Sequence, residues 1–407
     1  MAWSDLPIDL LSCISSHLSI VDLVRLSVVC TSWSFTLDNY ALLGFECRPS
    51  PWLLLSNDVE EASDTLTFHE LTKEREEAVL SFQRRFSSIS SHTYGRRYFG
   101  SKDGWLVTLD KTYLQPHLFN PVTKAEISLP SLCTLIDPQY APDNSIRISF
   151  NENFFDFTTD EFRDIYFHKI IVSSNDLSGT VVVIFGNRKE LALARTEDPT
   201  WVLGPTLSPY NIEDEEQFED VCYHEEDQRF YTITNFSMVL AFDLNGQNVE
   251  LICPNMPNPQ YRTIYFDCMY YIAFLSGTFL RIERVIDISL DSHHNARTMT
   301  IFVFKFVPTV VTSSSSSSSY SQWIPIHELG EFSLFVGCNQ TFSLNHMVVT
   351  GIKPNCIYFA DHSSSMLPGY VDCDVGLFDL SNGRIQYILH PYSRTNWPPS
   401  IWFTPSI

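Results

Sequence analysis

Leu10, Ile14 and Leu18 recur every four positions, the spacing of one helical face. Pro7 stands where a proline fits a first turn, and Asp5 stands where a side chain can cap it. Ser19 and Asp22 have the S-x-x-D spacing of a capping box. Leu23, Leu26, Val29, Cys30 and Trp33 then continue at intervals of three to four residues. Three short helices are predicted. Their apolar faces are too large for a unit of about 40 residues to bury alone, and such a unit normally needs a metal, disulfides or a partner. The segment has no metal or disulfide spacing, so another protein is expected to complete it.

After Asn39 the pattern changes. Residues 41–51 read as a linker, and Trp52-Leu-Leu-Leu55 reads as a strand. Residues 57–97 mix acidic and basic patches with a serine cluster. From Gly104 onward short apolar runs dominate, among them Trp105–Leu109, Thr180–Phe185, Val239–Asp243, Cys356–Ala360 and Val375–Leu380. Asn245-Gly246 and Asn382-Gly383 punctuate them as tight turns that need positive φ. Many short strands at quasi-regular spacing suggest a sandwich, a barrel or a propeller. Three echoes favour repetition: Leu118-Phe-Asn-Pro-Val-Thr123, Ala241-Phe-Asp-Leu-Asn-Gly246 and Leu377-Phe-Asp-Leu-Ser-Asn-Gly383. In a propeller, Trp52–Leu55 and Ser400–Phe403 are candidates for pairing and closing the ring. Residues 312–321, almost pure serine, read as a flexible loop between two strands.

Composition narrows the function classes. A net charge of −22 repels phosphate backbones, which speaks against nucleic acid as a partner. The 10 cysteines form no C-x-x-C pair and fit reduced thiols in an intracellular protein, so a cytoplasmic or nuclear location, or both, is expected. Asp5 and Asp9 with no basic n-region do not read as a signal peptide, and no apolar run is long enough to span a membrane.

The opening motif resembles an F-box: Leu6-Pro7-x-Asp9-Leu10-Leu11-x-x-Ile14-x-x-x-Leu18, then Asp22-Leu23-x-x-Leu26-x-x-Val29-Cys30-x-x-Trp33. That resemblance implies docking on the small Skp-type adaptor of cullin-RING (SCF) ubiquitin ligases. Carried over by position, it assigns Leu6, Pro7, Leu10, Leu11, Ile14, Leu18 and Val29 to the adaptor interface, and Leu26, Cys30 and Trp33 to the F-box core. Thr31 and Ser34 replace the basic residues that many F-boxes carry beside the Trp. Further along, Gly104-Trp105-Leu106, Leu118–Thr123, Lys353-Pro-Asn-Cys-Ile-Tyr-Phe-Ala-Asp361 and Trp402-Phe-x-Pro405 are similar to a large plant F-box family. Its C-terminal domain, formerly of unknown function, is a degenerate β-propeller.

The expected architecture is therefore a small all-α F-box over residues 1–40, a linker over 41–51 and a mainly-β, propeller-like recognition domain over 52–407. The expected function is substrate recognition within an SCF E3 ligase, with no catalysis by this chain, no cofactor and no metal. The acidic cluster over Glu213–Glu216, Glu219-Asp220 and Glu225–Asp227 reads as a solvated face, and His327-Glu328 lacks the second His of a zincin helix. No G-x-S-x-G or phosphate-cradling loop is present. Two alternatives stay open: a propeller enzyme or carbohydrate-binding module, and an F-box scaffold acting outside ubiquitination. The target protein is not readable from the sequence.

Overall fold

The computed structural model describes residues 6–15, 18, 22, 26, 29–33, 50–55, 65–74, 77–87, 96–110, 114–135, 139–140, 146–150, 153–158, 162–163, 166–173, 179–210, 216–254, 266–287, 297–308, 322–349, 351–360, 374–389 and 399–405. Helix α1 (Ile8–Ser15) is the first of the expected helices. Helical residues recur at Asp22, Leu26 and Thr31–Trp33, but the rest of the second and third expected helices lies outside the described residues, as do Asp5, Ser19 and the serine-rich loop.

Strands follow in groups. β1 (Trp52–Leu54), β2 (Thr65–Glu74) and β3 (Glu77–Ser87) form one sheet. β4 (Arg97–Lys102), β5 (Trp105–Leu109), β6 (Pro116–Phe119) and β7 (Glu126–Ser128) form the next. A separate three-stranded sheet holds β8 (Gln139–Tyr140), β9 (Ile146–Phe150) and β10 (Asn153–Phe157). Then come β11 (Phe167–Val172), β12 (Thr180–Phe185), β13 (Glu190–Arg195) and β14 (Val202–Leu203). β15 (Phe218–His224), β16 (Arg229–Thr234), β17 (Val239–Asp243) and β18 (Glu250–Cys253) repeat that plan. So do the longer β19 (Phe266–Leu275), β20 (Thr278–Asp287) and β21 (Arg297–Val307) with β22 (Gln322–Ile326). A five-stranded sheet follows, made of β23 (Phe332–Val336), β24 (Phe342–Asn345), β25 (Cys356–Phe359), β26 (Gly376–Asp379) and β27 (Arg384–Tyr387). Finally β28 (Ile401–Phe403) pairs with β1 in the first sheet.

Setting aside the three-stranded sheet, the described residues make six blades of a mainly-β propeller. The ring closes as the two candidate runs suggest: Trp52 pairs with Phe403, Leu53 with Trp402 and Leu54 with Ile401. β28, β4, β11, β15 and β19 neighbour one another in that order, with β24 next to β19.

Why the strands look as they do follows from where they are buried. Each of six apolar clusters fills one blade-to-blade interface, so a strand inside a blade is covered on both faces. In β12, Val181 and Val183 point into the interface with the β4–β7 blade, while Val182 and Ile184 point into that with the β15–β18 blade. Side chains alternate faces along a strand, and burial of both faces yields an unbroken apolar run. At the closing blade, Trp52, Phe68 and Phe403 pack with ring centroids 5.1–5.8 Å apart.

The sequence echoes are one repeated turn at the end of the next-to-last strand of a blade. Asn120 Oδ1 accepts from the backbone N–H groups of Val122 and Thr123 at 2.9 and 3.0 Å. Asp243 Oδ1 accepts from Asn245 and Gln247, both at 2.9 Å, and Asp379 Oδ1 from Ser381 at 3.0 Å. Within each Asn-Gly pair only the glycine carries positive φ, 73° at Gly246 and 69° at Gly383, so these are longer turns and not two-residue Asn-Gly turns, which need positive φ at both positions. Burial pushes the Asp243 carboxyl up, but hydrogen bonds from Gln247, Asn245 and Asn248 outweigh it and hold the group below its ordinary 3.8. A carboxyl depressed in the folded state stabilises fully above its unfolded value and loses that contribution as pH falls through the folded one. Asp243→Asn is therefore expected to show a flatter fall in thermal stability between pH 5 and 3 than the parent chain. Asp243→Ala should cost about 1 kcal/mol at neutral pH in urea unfolding.

Candidate functional site

Two surfaces stand out, the helical tip and the mouth of the channel on the propeller axis. At the tip, Pro7 has no N–H to lose at a helix start, and its carbonyl accepts from the N–H groups of Leu10 and Leu11 at 3.0 and 3.1 Å. Asp9 in the first turn suits the positive end of the helix dipole. Ser15 Oγ donates to the Leu11 carbonyl at 2.7 Å, which ties down the last turn.

Among the residues assigned to the interface, Leu10 is 54% exposed, Ile14 42% and Val29 57%. Pro7 is also exposed, while Leu6 and Leu18 are half-buried. Pro7, Leu10 and Ile14 sit at i, i+3 and i+7 and share one face of the helix. Leu11 differs from the expectation: at 1% exposure it is buried within the chain and backs the helix without presenting a surface. Trp33, assigned to the core, is buried; Leu26 and Cys30 are half-buried. Ile8, 51% exposed, adds apolar surface that the motif reading passed over, although an isoleucine directly after the Leu-Pro pair was there to be noticed.

The second surface lies where the inner strands begin. Arg97 of β4, His168 and Lys169 of β11, Glu219 of β15, Tyr271 of β19 and Cys338 line a cavity of about 30 Å³ together with Lys189, which follows β12. The segment after β23 reaches across to the β4–β7 and β15–β18 blades. A Cβ on Gly100 would lie 2.9 Å from the Ile170 carbonyl oxygen and 3.6 Å from the Asn339 Cα, an approach that only glycine permits. Gln340 Nε2 donates to the Tyr223 carbonyl at 3.4 Å.

Charges around this mouth are ordered in pairs. Lys189 meets Glu219 at 2.7 Å. The Lys169 ammonium donates to Asp220, which also accepts from the N–H of Ile272 at 2.8 Å and so ties three blades together. Arg97 donates to the Arg163 carbonyl at 3.0 Å. His168 Nε2 lies 3.0 Å from the Gly186 carbonyl. Burial, reinforced by the charges of Lys189 and Arg97, lowers its pKa to about 3, so the ring is neutral at working pH. Sequence reading had Glu219 and Asp220 only as part of a solvated acidic face, whereas Asp220 is buried and the Glu219 side chain nearly so. The other groups escaped it, because charges spread from 97 to 219 meet only where three neighbouring blades pack side by side. The one local hint was a lysine inside the strand-length run Phe167–Val172.

Among the described residues, no group of three His, Cys, Asp or Glu side chains could hold a metal, and no helix is long and apolar enough to cross a membrane. The described cysteines are all free thiols.

Comparison with known proteins gives two family models on this chain: an F-box domain over residues 3–43 and a KIB1-4 β-propeller over residues 73–379. The chain is 24% identical to the F-box protein SKIP23 of Arabidopsis thaliana, over 99% of this chain and 95% of that one. A putative F-box protein of the same plant is 22% identical over 88% of this chain and 86% of its own. An F-box/kelch-repeat protein, also from Arabidopsis thaliana, is 32% identical over 32% of this chain and 33% of its own.

Proposed function

The chain belongs to the KIB1-4 β-propeller family and carries an F-box domain, and from that premise we propose that it is the substrate-recognition subunit of an SCF E3 ubiquitin ligase. The reading divides it into an F-box over residues 1–40, a linker over 41–51 and a target-binding propeller over 52–407. It locates the protein in the cytoplasm, the nucleus or both. The observation that carries it is the exposed apolar stripe of Pro7, Leu10 and Ile14, inside the segment that matches the F-box model. A Skp-type adaptor is the partner that would cover the stripe, and the cullin-RING core would follow through the adaptor. The target would then be held beside the charged ubiquitin carrier, and the chain would act by raising the effective concentration of target lysines.

The same reading gives the chain no bond chemistry of its own. The axial cavity, at about 30 Å³, is far smaller than the ~300–1,000 Å³ of pockets that hold metabolites, which weighs against a propeller enzyme or sugar-binding module.

Capture of a recombinant Skp-type adaptor by the full chain, compared with a chain lacking residues 1–40, tests the first half of the proposal. Binding by the full chain and loss on deletion is the expected result; equal capture by both would overturn it. Reconstitution with cullin, RING subunit and a captured target tests the second half. Ubiquitin chains on the target are expected, and adaptor binding without target modification would favour the scaffold reading.

A further inference from the structure

The axial mouth has a charge balance opposite to that of the chain as a whole. We propose that it is a binding site for one oxyanion head, a carboxylate or a phosphate at the tip of a target-protein side chain, seated between Arg97, Lys169 and Lys189. That the anion sits on a target protein rests on the receptor reading above; the site itself rests on the geometry.

Three cations face the cavity against Glu219 and, behind Lys169, Asp220, so the local balance is positive in a protein whose net charge is −22. The neutral His168 ring reports the same field, since Lys189 and Arg97 add to burial in keeping its proton off. Burial strengthens the field: Arg97 is 3% exposed and Lys169 5%, and charges act more strongly where water is scarce. Size selects the ligand. About 30 Å³ is two to three times the ~10–15 Å³ that a cavity needs to hold one water, which leaves room for a small oxyanion head but not for a nucleotide or a sugar ring. Lys189, with 22% of its side chain exposed, is the cation an arriving anion can draw away from Glu219. The mouth also lies at the axis, where a side chain extended from a bound surface meets four inner strands at once.

The competing carboxylate gives the test its sign. Isothermal titration of the full chain at fixed ionic strength, with inorganic phosphate and with acetate, should show saturable binding of at least one anion. Lys189→Gln should weaken it roughly tenfold, the equivalent of one charge-assisted hydrogen bond. Glu219→Gln should tighten it several-fold, because the rival for Lys189 is gone. A merely structural pair would leave anion affinity unchanged in both. Acetyl-phosphoserine amide and acetyl-aspartate amide, titrated in parallel, separate the phosphate source from the carboxylate source. Absence of saturable binding in both the parent and Glu219→Gln, or equal affinity in all three proteins, overturns the proposal. Adaptor capture measured on the same preparations should not change, so failure here is distinguishable from failure of the ligase reading.

Discussion

Replacing Leu10 and Ile14 together by aspartate is expected to reduce adaptor capture by about a hundredfold or more while leaving the propeller folded. Each side chain loses the roughly 1.5–3 kcal/mol that covering an aliphatic group provides, and two such losses correspond to about 10²–10⁴ in affinity. The introduced carboxylates add desolvation cost at an apolar interface. The free chain should tolerate the change, because both positions already face solvent, at 54% and 42% exposure. Leu11→Asp is the contrasting variant: at 1% exposure its charge would be buried within the chain, and loss of capture there would report a damaged tip and not a lost contact. The readouts are co-purification of the adaptor and the thermal midpoint of the isolated variant. Undiminished capture by Leu10→Asp/Ile14→Asp, with an unchanged midpoint, would remove the stripe from the interface and with it the observation on which the ligase reading stands.

How much of this was legible in the sequence depends on whether the cause was local. The run Thr180–Phe185 could be read as a strand because both its faces are buried between blades, which leaves no polar position in its middle. Trp52–Leu55 and Ser400–Phe403 could be matched as a closing pair because each is a short apolar run stranded at one end of the β series. The echoes at Asn120, Asp243 and Asp379 were visible because one side-chain acceptor solves the same turn each time. β2 and β3 were not legible: they occupy the stretch read only as mixed charge patches. In β2, Leu66, Phe68 and Leu71 are its buried apolar residues, but a register shift between His69 and Glu70 breaks the alternation. The number of blades was hidden for a related reason, since the turns repeat more faithfully than the strands between them. The charged axis was hidden, because Lys169 and Asp220 are 51 positions apart: Asp220 read as part of a solvated acidic face, and Lys169 as a polar exception within an apolar strand.

That exception is where the propeller is most vulnerable to a single substitution. Asp220 is fully buried and Lys169 nearly so. Burial raises the Asp220 pKa against the pull of the Lys169 ammonium and of the N–H groups of Ile272 and Val221. Asp220→Ala would leave the ammonium without its carboxylate and strip the Ile272 N–H of its acceptor, the situation in which breaking a buried pair costs about 3–5 kcal/mol. Set against a total folding free energy of about 5–15 kcal/mol, that loss should shift the urea midpoint strongly, or prevent soluble expression. Removing both charges is a different case. Lys169→Met with Asp220→Asn keeps an amide oxygen for Ile272 and replaces the ammonium by an apolar chain of similar length. Replacing both members of a buried pair is often close to neutral, so the double variant should recover most of what Asp220→Ala loses. Equilibrium urea unfolding of the parent, the single and the double variant decides the matter. Were Asp220→Ala within about 1 kcal/mol of the parent, or the double variant no more stable than the single, the junction of the three blades would owe its stability to apolar packing and not to this pair.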